Sequence, residues 1–311
     1  MTYREHLPQL DGGLFLSDGG IETVLIFHDG VDLPLFAAFH LLKDEAGCEK
    51  LRSYYEPYVA LAREAGLGFV LESPTWRASP RWATEIGYDA EQLDAMNRRA
   101  IALLEEIREG EAEGSAAIVI SGCVGPQDDG YNPSERLSTE AAQGYHSTQI
   151  ETFADTAADM VTALTITYVE EAIGIARAAG DHGMPVAISF TLETDGRLPS
   201  GQALGEAIEQ VDSETEAAPA YYMLNCAHPT HFERVVEDAG EWRRQIRGLR
   251  ANASTKSHAE LDEATELDEG DPADLAARYA GLRRALPELN VLGGCCGTDH
   301  RHVAAIRQGW L

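Results

Sequence analysis

The chain has 311 residues, with 52 acidic against 24 basic side chains and a formal net charge of −28 at pH 7. A field this negative repels phosphate backbones and anionic lipid, so nucleic-acid and membrane partners are disfavoured. No apolar run is long enough to span a bilayer and no signal-peptide core follows the N-terminus, so we expect a soluble, cytoplasmic protein. Only three of the basic residues are lysines, and an acidic, lysine-poor surface of this kind favours a halophilic host, because concentrated salt screens the self-repulsion. The alternative is a merely acidic enzyme.

Short apolar segments alternate with amphipathic ones along the whole chain. The apolar segments predict eight buried strands, at Leu14–Ser17, Gly68–Leu71, Ala117–Ser121, Met160–Ile166, Pro185–Phe190, Ala220–Leu224, Ile246–Arg250 and Asn290–Gly293. The amphipathic segments predict helices at Glu49–Ala65, Ala90–Glu111, Thr139–Ala154, Val169–Ala179, Ala203–Gln210, Thr230–Asp238, Asp274–Leu286 and His300–Gln308.

This alternation predicts βαβ units and a parallel sheet. Eight repeats in about 300 residues are typical of a (β/α)8 TIM barrel, which we expect to form one domain over residues 1–311. The alternative is a doubly wound open sheet. It is less favoured because no Gly-x-Gly-x-x-Gly turn follows the first predicted strand.

Polar and reactive residues follow the carboxyl ends of several predicted strands. In a parallel barrel these ends meet at one mouth, where barrel enzymes keep their active sites. We therefore expect one site that gathers Asp18, Gly19, Gly20, Glu22, Glu72, Thr75, Asn225, Cys226, Asn252, Cys295 and Cys296.

Three of these residues are cysteines, Cys226 after the sixth strand and the adjacent Cys295 and Cys296 after the eighth. Three thiolates and one vacant position describe a catalytic zinc site, because structural zinc sites fill all four positions with protein ligands. The alternatives are a vicinal disulfide or simple packing of Cys295 and Cys296, in which case the protein could be a thiol redox switch or a metal-storage protein. Cys48 and Cys123 are expected to be ordinary buried residues.

Two histidines, His228 and His231, lie just past Cys226. Their type would allow metal binding, but we expect them at the start of the helix after the sixth strand, in contact with solvent or substrate.

Several segments resemble one family. Asp18-Gly19-Gly20-Ile21-Glu22-Thr23 resembles its opening Asp-Gly-Gly-x-x-Thr turn, and Thr75-Trp76-Arg77-Ala78-Ser79 resembles its Thr-Tyr-x-Ala-Ser segment. Gly122-Cys123-Val124-Gly125-Pro126 resembles its Gly-Ser-Val-Gly-Pro. Asn225-Cys226 and Gly293-Gly294-Cys295-Cys296-Gly297-Thr298 are similar to its two zinc segments in order and spacing. This is the homocysteine S-methyltransferase family, whose barrel is shared with betaine-homocysteine methyltransferase and with the N-terminal module of cobalamin-dependent methionine synthase. The resemblance covers essentially the whole chain.

The resemblance implies that zinc is held by Cys226, Cys295 and Cys296 and takes the sulfur of homocysteine as its fourth ligand. Zinc would leave the bound thiol deprotonated and nucleophilic, so that it attacks an activated methyl group. The partners implied are a small thiol acceptor and a methyl donor.

One position departs from the family. The family commonly carries a Glu at the end of the fourth strand that holds the amino group of homocysteine, and the alignment on Val169-Glu170-Glu171-Ala172 places Leu164 there. Either Glu22, Glu72 or another acid replaces that carboxylate, or the acceptor is a different thiol.

The methyl donor is equally open. The chain ends at Leu311, straight after the last predicted helix, so we expect no attached folate or cobalamin module. This favours a small donor such as S-methylmethionine, S-adenosylmethionine or a betaine, with a separate corrinoid protein as the alternative.

Overall fold

Eight parallel strands form a closed barrel in the computed structural model, which describes residues 3–111, 116–131, 135–237, 240–264 and 266–311. The strands are β1 (Phe15–Leu16), β2 (Gly68–Glu72), β3 (Ile118–Val124), β4 (Met160–Ile166), β5 (Val186–Phe190), β6 (Tyr221–Asn225), β7 (Ile246–Ala251) and β8 (Val291–Gly294). Each pairs with the next in chain order, and β8 closes on β1 with Val291 opposite Phe15. The predicted (β/α)8 barrel is confirmed, and closure excludes the open sheet.

A helix follows each strand along the outside of the barrel. These helices are α1 (Glu45–Ala65), α2 (Ala90–Glu109), α3 (Thr139–Ala154), α4 (Val169–Asp181), α5 (Leu204–Thr215), α6 (Pro229–Glu237), α7 (Pro272–Leu282) and α8 (His300–Trp310). Short helices lie at Ile21–Thr23, Pro80–Glu85 and His258–Asp262 within the connections. Among the described residues, no helix is both long and apolar enough to cross a membrane.

The predicted helices differ from the observed ones mainly at their ends. α2 ends at Glu109 and not at Glu111, because Gly110 takes the C-cap position. α7 ends at Leu282 and not at Leu286. Residues 283–285 form a turn, and Pro287 disfavours helical backbone only at Leu286. The predicted end of α6 at Asp238 lies outside the described residues.

Local capping explains where several helices begin. The Asp44 side chain accepts a hydrogen bond of 2.8 Å from the backbone N–H of Gly47, and Gly66, with φ of 64°, is the C-cap after the last residue of α1. At α8, Asp299 and His302 form a capping box. This cap fixes the start of the helix that directly follows the Cys295–Cys296 segment.

The barrel interior is layered. Near the amino ends of the strands, apolar side chains from seven strands pack together, namely Phe15, Val70, Val119, Met160, Ala187, Tyr221, Met223 and Val291. The N-terminal segment closes this end, where Leu7 joins the cluster and Gln9 Nε2 donates to Tyr221 Oη at 3.4 Å. Polar residues occupy the carboxyl end, and the candidate site therefore lies in a mouth with an apolar floor.

Candidate active site

A cavity of about 210 Å³ lies at the carboxyl ends of the strands. Nine of the eleven residues predicted for the site line it, namely Asp18, Gly19, Gly20, Glu22, Glu72, Asn225, Cys226, Cys295 and Cys296. Thr75 and Asn252 are buried beside the cavity without lining it. Residues from both ends of the chain therefore meet at one place, as barrel closure requires.

The three predicted cysteines converge at this cavity. Their Sγ atoms all lie within 4.8 Å of one another. Cys226 and Cys296 have their Sγ atoms 3.8 Å apart, and Cys226 is joined to Cys295 as a disulfide. The structure thus pairs Cys295 with the residue that follows β6 rather than with its neighbour Cys296, contrary to the vicinal alternative.

A glycine allows the β1 loop to lie against the cysteine segment. The backbone N–H of Gly20 donates to the carbonyl oxygen of Thr298 at 3.1 Å. A Cβ atom at Gly20 would lie 2.5 Å from the carbonyl oxygen of Cys295, closer than any side chain tolerates. Glycine at this position therefore lets the first and last strand ends share one wall of the cavity.

The backbone of Cys226 is held in an unusual conformation. Its φ is 53°, in the left-handed region that a non-glycine residue seldom adopts. Its carbonyl oxygen accepts hydrogen bonds from Asn252 Nδ2 at 3.0 Å and from His258 Nε2 at 2.8 Å. The Asn252 side chain therefore binds the backbone at Cys226. It does not line the cavity, so the substrate contact expected from the sequence is not found. Strain of this kind persists where surrounding contacts over-determine it, and it is concentrated at functional sites.

The Asn225 side chain holds the backbone and side chain of Thr165 at the end of β4. Its Oδ1 accepts from the Thr165 N–H at 2.8 Å and from Ser189 Oγ at 2.7 Å, while its Nδ2 donates to Thr165 Oγ1 at 2.8 Å. Thr165 has φ of 65° and lies where the register between β4 and β5 shifts. These bonds hold Leu164 and Thr165 in the cavity wall.

Thr75 is likewise turned away from the cavity. Its Oγ1 donates to the carbonyl oxygen of Cys123 at 2.7 Å and lies 2.6 Å from Ser73 Oγ. Cys123 is buried, as expected, but it also lines the cavity. Thr75 thus ties the end of β2 to the end of β3.

Sequence reasoning missed Arg250, the buried arginine of β7. Its Nη1 forms an ion pair with Asp18 Oδ1 at 2.8 Å, its Nη2 donates to the carbonyl oxygen of Gly19 at 2.9 Å, and its Nε donates to that of Gly294 at 3.0 Å. The other Asp18 oxygen accepts from Tyr54 Oη at 2.8 Å. The available signal was a pair of arginines, Arg247 and Arg250, within one short predicted strand, because arginine is almost never fully buried unless paired.

Two carboxyl groups of the cavity have altered acidity. Burial raises the pKa of Glu22 to about 7, and Asp18 nearby contributes in the same direction. Burial also raises the pKa of Glu72 to about 7, although Arg250 opposes the change. Burial disfavours the charge on Arg250 itself, but Asp18 and Glu72 raise its pKa above the ordinary value. The cavity therefore holds two carboxyl groups that exchange protons near neutral pH.

A stacked pair of rings, also missed, lies beside the cysteine cluster. Tyr131 lies on His258 with ring centroids 4.1 Å apart, and its hydroxyl is 3.4 Å from Cys296 Sγ. His258 comes from the long β7–α7 connection, and no sequence pattern ties it to Tyr131.

His228 and His231 are buried and do not line the cavity, although contact with solvent or substrate was expected. His228 Nδ1 lies 2.8 Å from Thr230 Oγ1 at the start of α6, while His231 Nε2 donates to the Thr255 carbonyl oxygen at 2.9 Å.

Comparison with known proteins agrees with this geometry. The family model described as homocysteine S-methyltransferase matches residues 15–309. The chain belongs to the homocysteine S-methyltransferase family. The Escherichia coli homocysteine methyltransferase MmuM has the same fold in its oxidized form, with a TM-score of 0.74, 20% identity and 96% of each chain covered. Its metallated form gives a TM-score of 0.73 at 19% identity, again with 96% of each chain covered. The predicted family and enzyme class, homocysteine (thiol) S-methyltransferase, are thereby confirmed.

The cysteine cluster fits the zinc ion that this homocysteine S-methyltransferase family implies. A tetrahedral zinc with Zn–S bonds of about 2.3 Å separates two thiolate sulfurs by about 3.8 Å. Cys226 and Cys296 already have this separation, with 3.8 Å between their Sγ atoms. Cys295 belongs to the same cluster and needs only reduction to supply the third thiolate.

Proposed function

We propose that the protein is a zinc-dependent S-methyltransferase that moves a methyl group from a small activated donor to a thiol, with homocysteine as acceptor and methionine as product. The observation that carries the proposal is the convergence of Cys226, Cys295 and Cys296 at the cavity of the barrel mouth. Three protein thiolates leave one position for a substrate sulfur, as catalytic zinc sites do. Zinc, homocysteine, a cytoplasmic location and a small donor, rather than a corrinoid protein, are all parts of this proposal.

When bound, zinc lowers the pKa of a coordinated thiol and so supplies a thiolate at neutral pH. The acceptor sulfur then attacks the donor methyl in line. A carbon–sulfur bond forms, and the electron pair of the broken bond leaves with the donor. The chain positions the reactants, since Asn252 and Asn225 fix the strand ends and Arg250 ties the β1 loop to the end of β8. The Tyr131 hydroxyl contacts Cys296 Sγ at 3.4 Å, and His258, on which Tyr131 is stacked, holds the carbonyl oxygen of Cys226.

The test combines metal content with a screen of acceptors and donors. Reduced protein loaded with zinc is expected to hold about one zinc per chain and to form methionine from homocysteine with S-methylmethionine, S-adenosylmethionine or a betaine. The competing function is a thiol redox protein, favoured by the pairing of Cys226 with Cys295. Activity that returns after oxidation only with reductant and zinc together supports methyl transfer. Recovery with reductant alone, in the presence of chelator, supports the redox function.

Recognition of the acceptor's ammonium group gives a separate prediction. Glu22 and Glu72 line the cavity, and Glu72 Oε2 has no hydrogen-bond partner among the described residues. Leu164, in the same wall, offers no charge. If these carboxylates bind the ammonium, Glu22→Gln or Glu72→Gln should raise the KM for homocysteine about tenfold or more, the usual size of a lost charged hydrogen bond.

The matched acceptor is 4-mercaptobutyrate, which is homocysteine without its amino group, and its KM should change little in the same variants. Leu164→Glu should shift preference toward homocysteine by adding a carboxylate to the wall. Unchanged homocysteine kinetics in both Gln variants would show that neither carboxylate binds the ammonium.

A further inference from the structure

The cavity contains a second buried cation, Arg77, that the proposed chemistry does not use. Arg77 follows β2, lines the cavity and is only 7% exposed. Its guanidinium carbon lies 4.3 Å from the ring centroid of Trp76 and 3.5 Å from that of Trp82. Stacking on two indoles holds the guanidinium plane and leaves its edge, which carries the N–H donors, for other partners.

Those donors are poorly satisfied. Within the described part of the chain, the guanidinium makes one hydrogen bond, from Nη1 to the carbonyl oxygen of Asp128 at 3.4 Å, and its Nε has no partner. The Asp128 carboxylate is already paired with Arg81 Nη1 at 2.7 Å. A buried polar group without a partner is costly, so most such groups in native proteins bind something.

Arg77 nevertheless keeps its charge at neutral pH. Burial lowers its pKa to about 10, which still leaves the guanidinium protonated at pH 7. The other cavity cation, Arg250, is neutralised by Asp18 at 2.8 Å. The carboxyl groups of Asp129 and Glu22, which line the same cavity, favour the charge on Arg77. Arg77 is nevertheless the cavity cation, among the described residues, whose Nε–H donor has no hydrogen-bond partner.

We propose that Arg77 binds the carboxylate of the thiol acceptor, so that the substrates of this enzyme are thiols bearing an anionic group. The proposal rests on the proposed function and adds a residue and a substrate class to it. A planar guanidinium edge matches a carboxylate in a two-pronged geometry, and charge-assisted bonds of this type are the strongest hydrogen bonds in proteins. Homocysteine meets the requirement through its carboxylate. Its ammonium group would bind elsewhere in the cavity, at Glu22 or Glu72.

The test uses four thiols that share a three-carbon spacing from sulfur to the varied group. Homocysteine carries both charges, 4-mercaptobutyrate only the carboxylate, 3-mercaptopropylamine only the ammonium, and 3-mercaptopropan-1-ol neither. With zinc-loaded, reduced protein, Arg77→Gln should raise the KM for the first two thiols about 10- to 100-fold. The KM for the other two should stay within about twofold. Arg77→Lys should fall between wild type and Arg77→Gln for the carboxylates, because lysine keeps the charge but not the fork.

Arg283→Gln is the matched control. Arg283 also lies over an indole ring, that of Trp310 at 4.5 Å, but does not line the cavity, so its loss should not separate the carboxylate thiols from the others. Equal losses for all four thiols in Arg77→Gln, or no loss for any, would overturn the proposal, the first by showing that Arg77 only supports the two indoles.

Calorimetry tests the role of Arg77 independently of the proposed function. Binding of 4-mercaptobutyrate to the zinc-loaded protein should weaken by the same 10- to 100-fold in Arg77→Gln, whether or not a methyl group is transferred. If no donor supports transfer but this selective loss of binding is seen, the proposed function fails and the assignment of Arg77 stands. If transfer occurs but Arg77→Gln does not change the binding of 4-mercaptobutyrate, the proposed function stands and the assignment of Arg77 fails.

Discussion

Replacing any one of Cys226, Cys295 and Cys296 with alanine is expected to abolish zinc binding in dilute solution against a competing chelator, and methyl transfer with it. Structural zinc sites with four ligands bind with about 10–16 kcal/mol, so one ligand is worth about 3 kcal/mol, or roughly a 10²-fold loss of affinity. Metal analysis after dialysis against a weak chelator measures the loss. The barrel should stay folded, because its core clusters are built from the strands and outer helices rather than from the thiols at the mouth.

Cys48→Ala provides the control for this prediction. Cys48 is a buried cysteine of α1 and does not belong to the sulfur cluster, so its variant should retain about one zinc per chain and full activity. Circular dichroism and thermal unfolding should show native folding in all four variants. A protein lacking all three clustered cysteines that still held stoichiometric zinc would place the metal elsewhere and would remove the basis of the proposed function.

Arg250→Met is expected to lower the free energy of unfolding by about 3–5 kcal/mol, because it leaves the buried carboxylate of Asp18 without its charged partner. It also removes the donors to the carbonyl oxygens of Gly19 and Gly294, which join the first and last strand ends. Urea unfolding of the reduced protein, monitored by circular dichroism, measures the change. Activity should fall as well, since the thiol segment begins directly after Gly294.

Two further variants serve as controls for Arg250→Met. Arg244→Met removes an exposed pair with Glu241 and should change stability by less than about 1 kcal/mol. Adding Asp18→Asn to Arg250→Met should recover part of the lost stability, because the double variant no longer buries an unpaired charge. A double variant as unstable as the sum of its two single variants would mean that Asp18 and Arg250 stabilise the barrel independently of each other.

The architecture was accessible from the sequence because local patterns determine it. Strands buried on both faces appear as continuous apolar runs, and all eight predicted runs overlap β1 to β8. The periodicity of the sequence predicted the helices, with errors confined to their ends, the largest being the five residues by which α5 extends past Gln210. The alternation of strands and helices then favoured a closed barrel over an open sheet. A closed barrel in turn predicted that Cys226 and Cys295 would lie at the same mouth.

The inner structure of the site was less accessible. Asn252 and Thr75 follow the expected strands, but their side chains bind the Cys226 and Cys123 carbonyl groups and do not face the cavity. A position after a strand places a residue at the mouth without giving the direction of its side chain. That direction depends on local backbone turns such as the left-handed Cys226.

By itself, the sequence determined the barrel and the meeting of three cysteines at its mouth, because periodicity and residue type at strand ends carry that information. Only the tertiary structure decided which charges are satisfied. Asp18 and Arg250 are separated by most of the chain yet neutralise each other, whereas Arg77 lies between two indoles with donors to spare. Such pairings depend on distances between strand ends far apart in sequence, and a low-dielectric interior makes each of them energetically decisive.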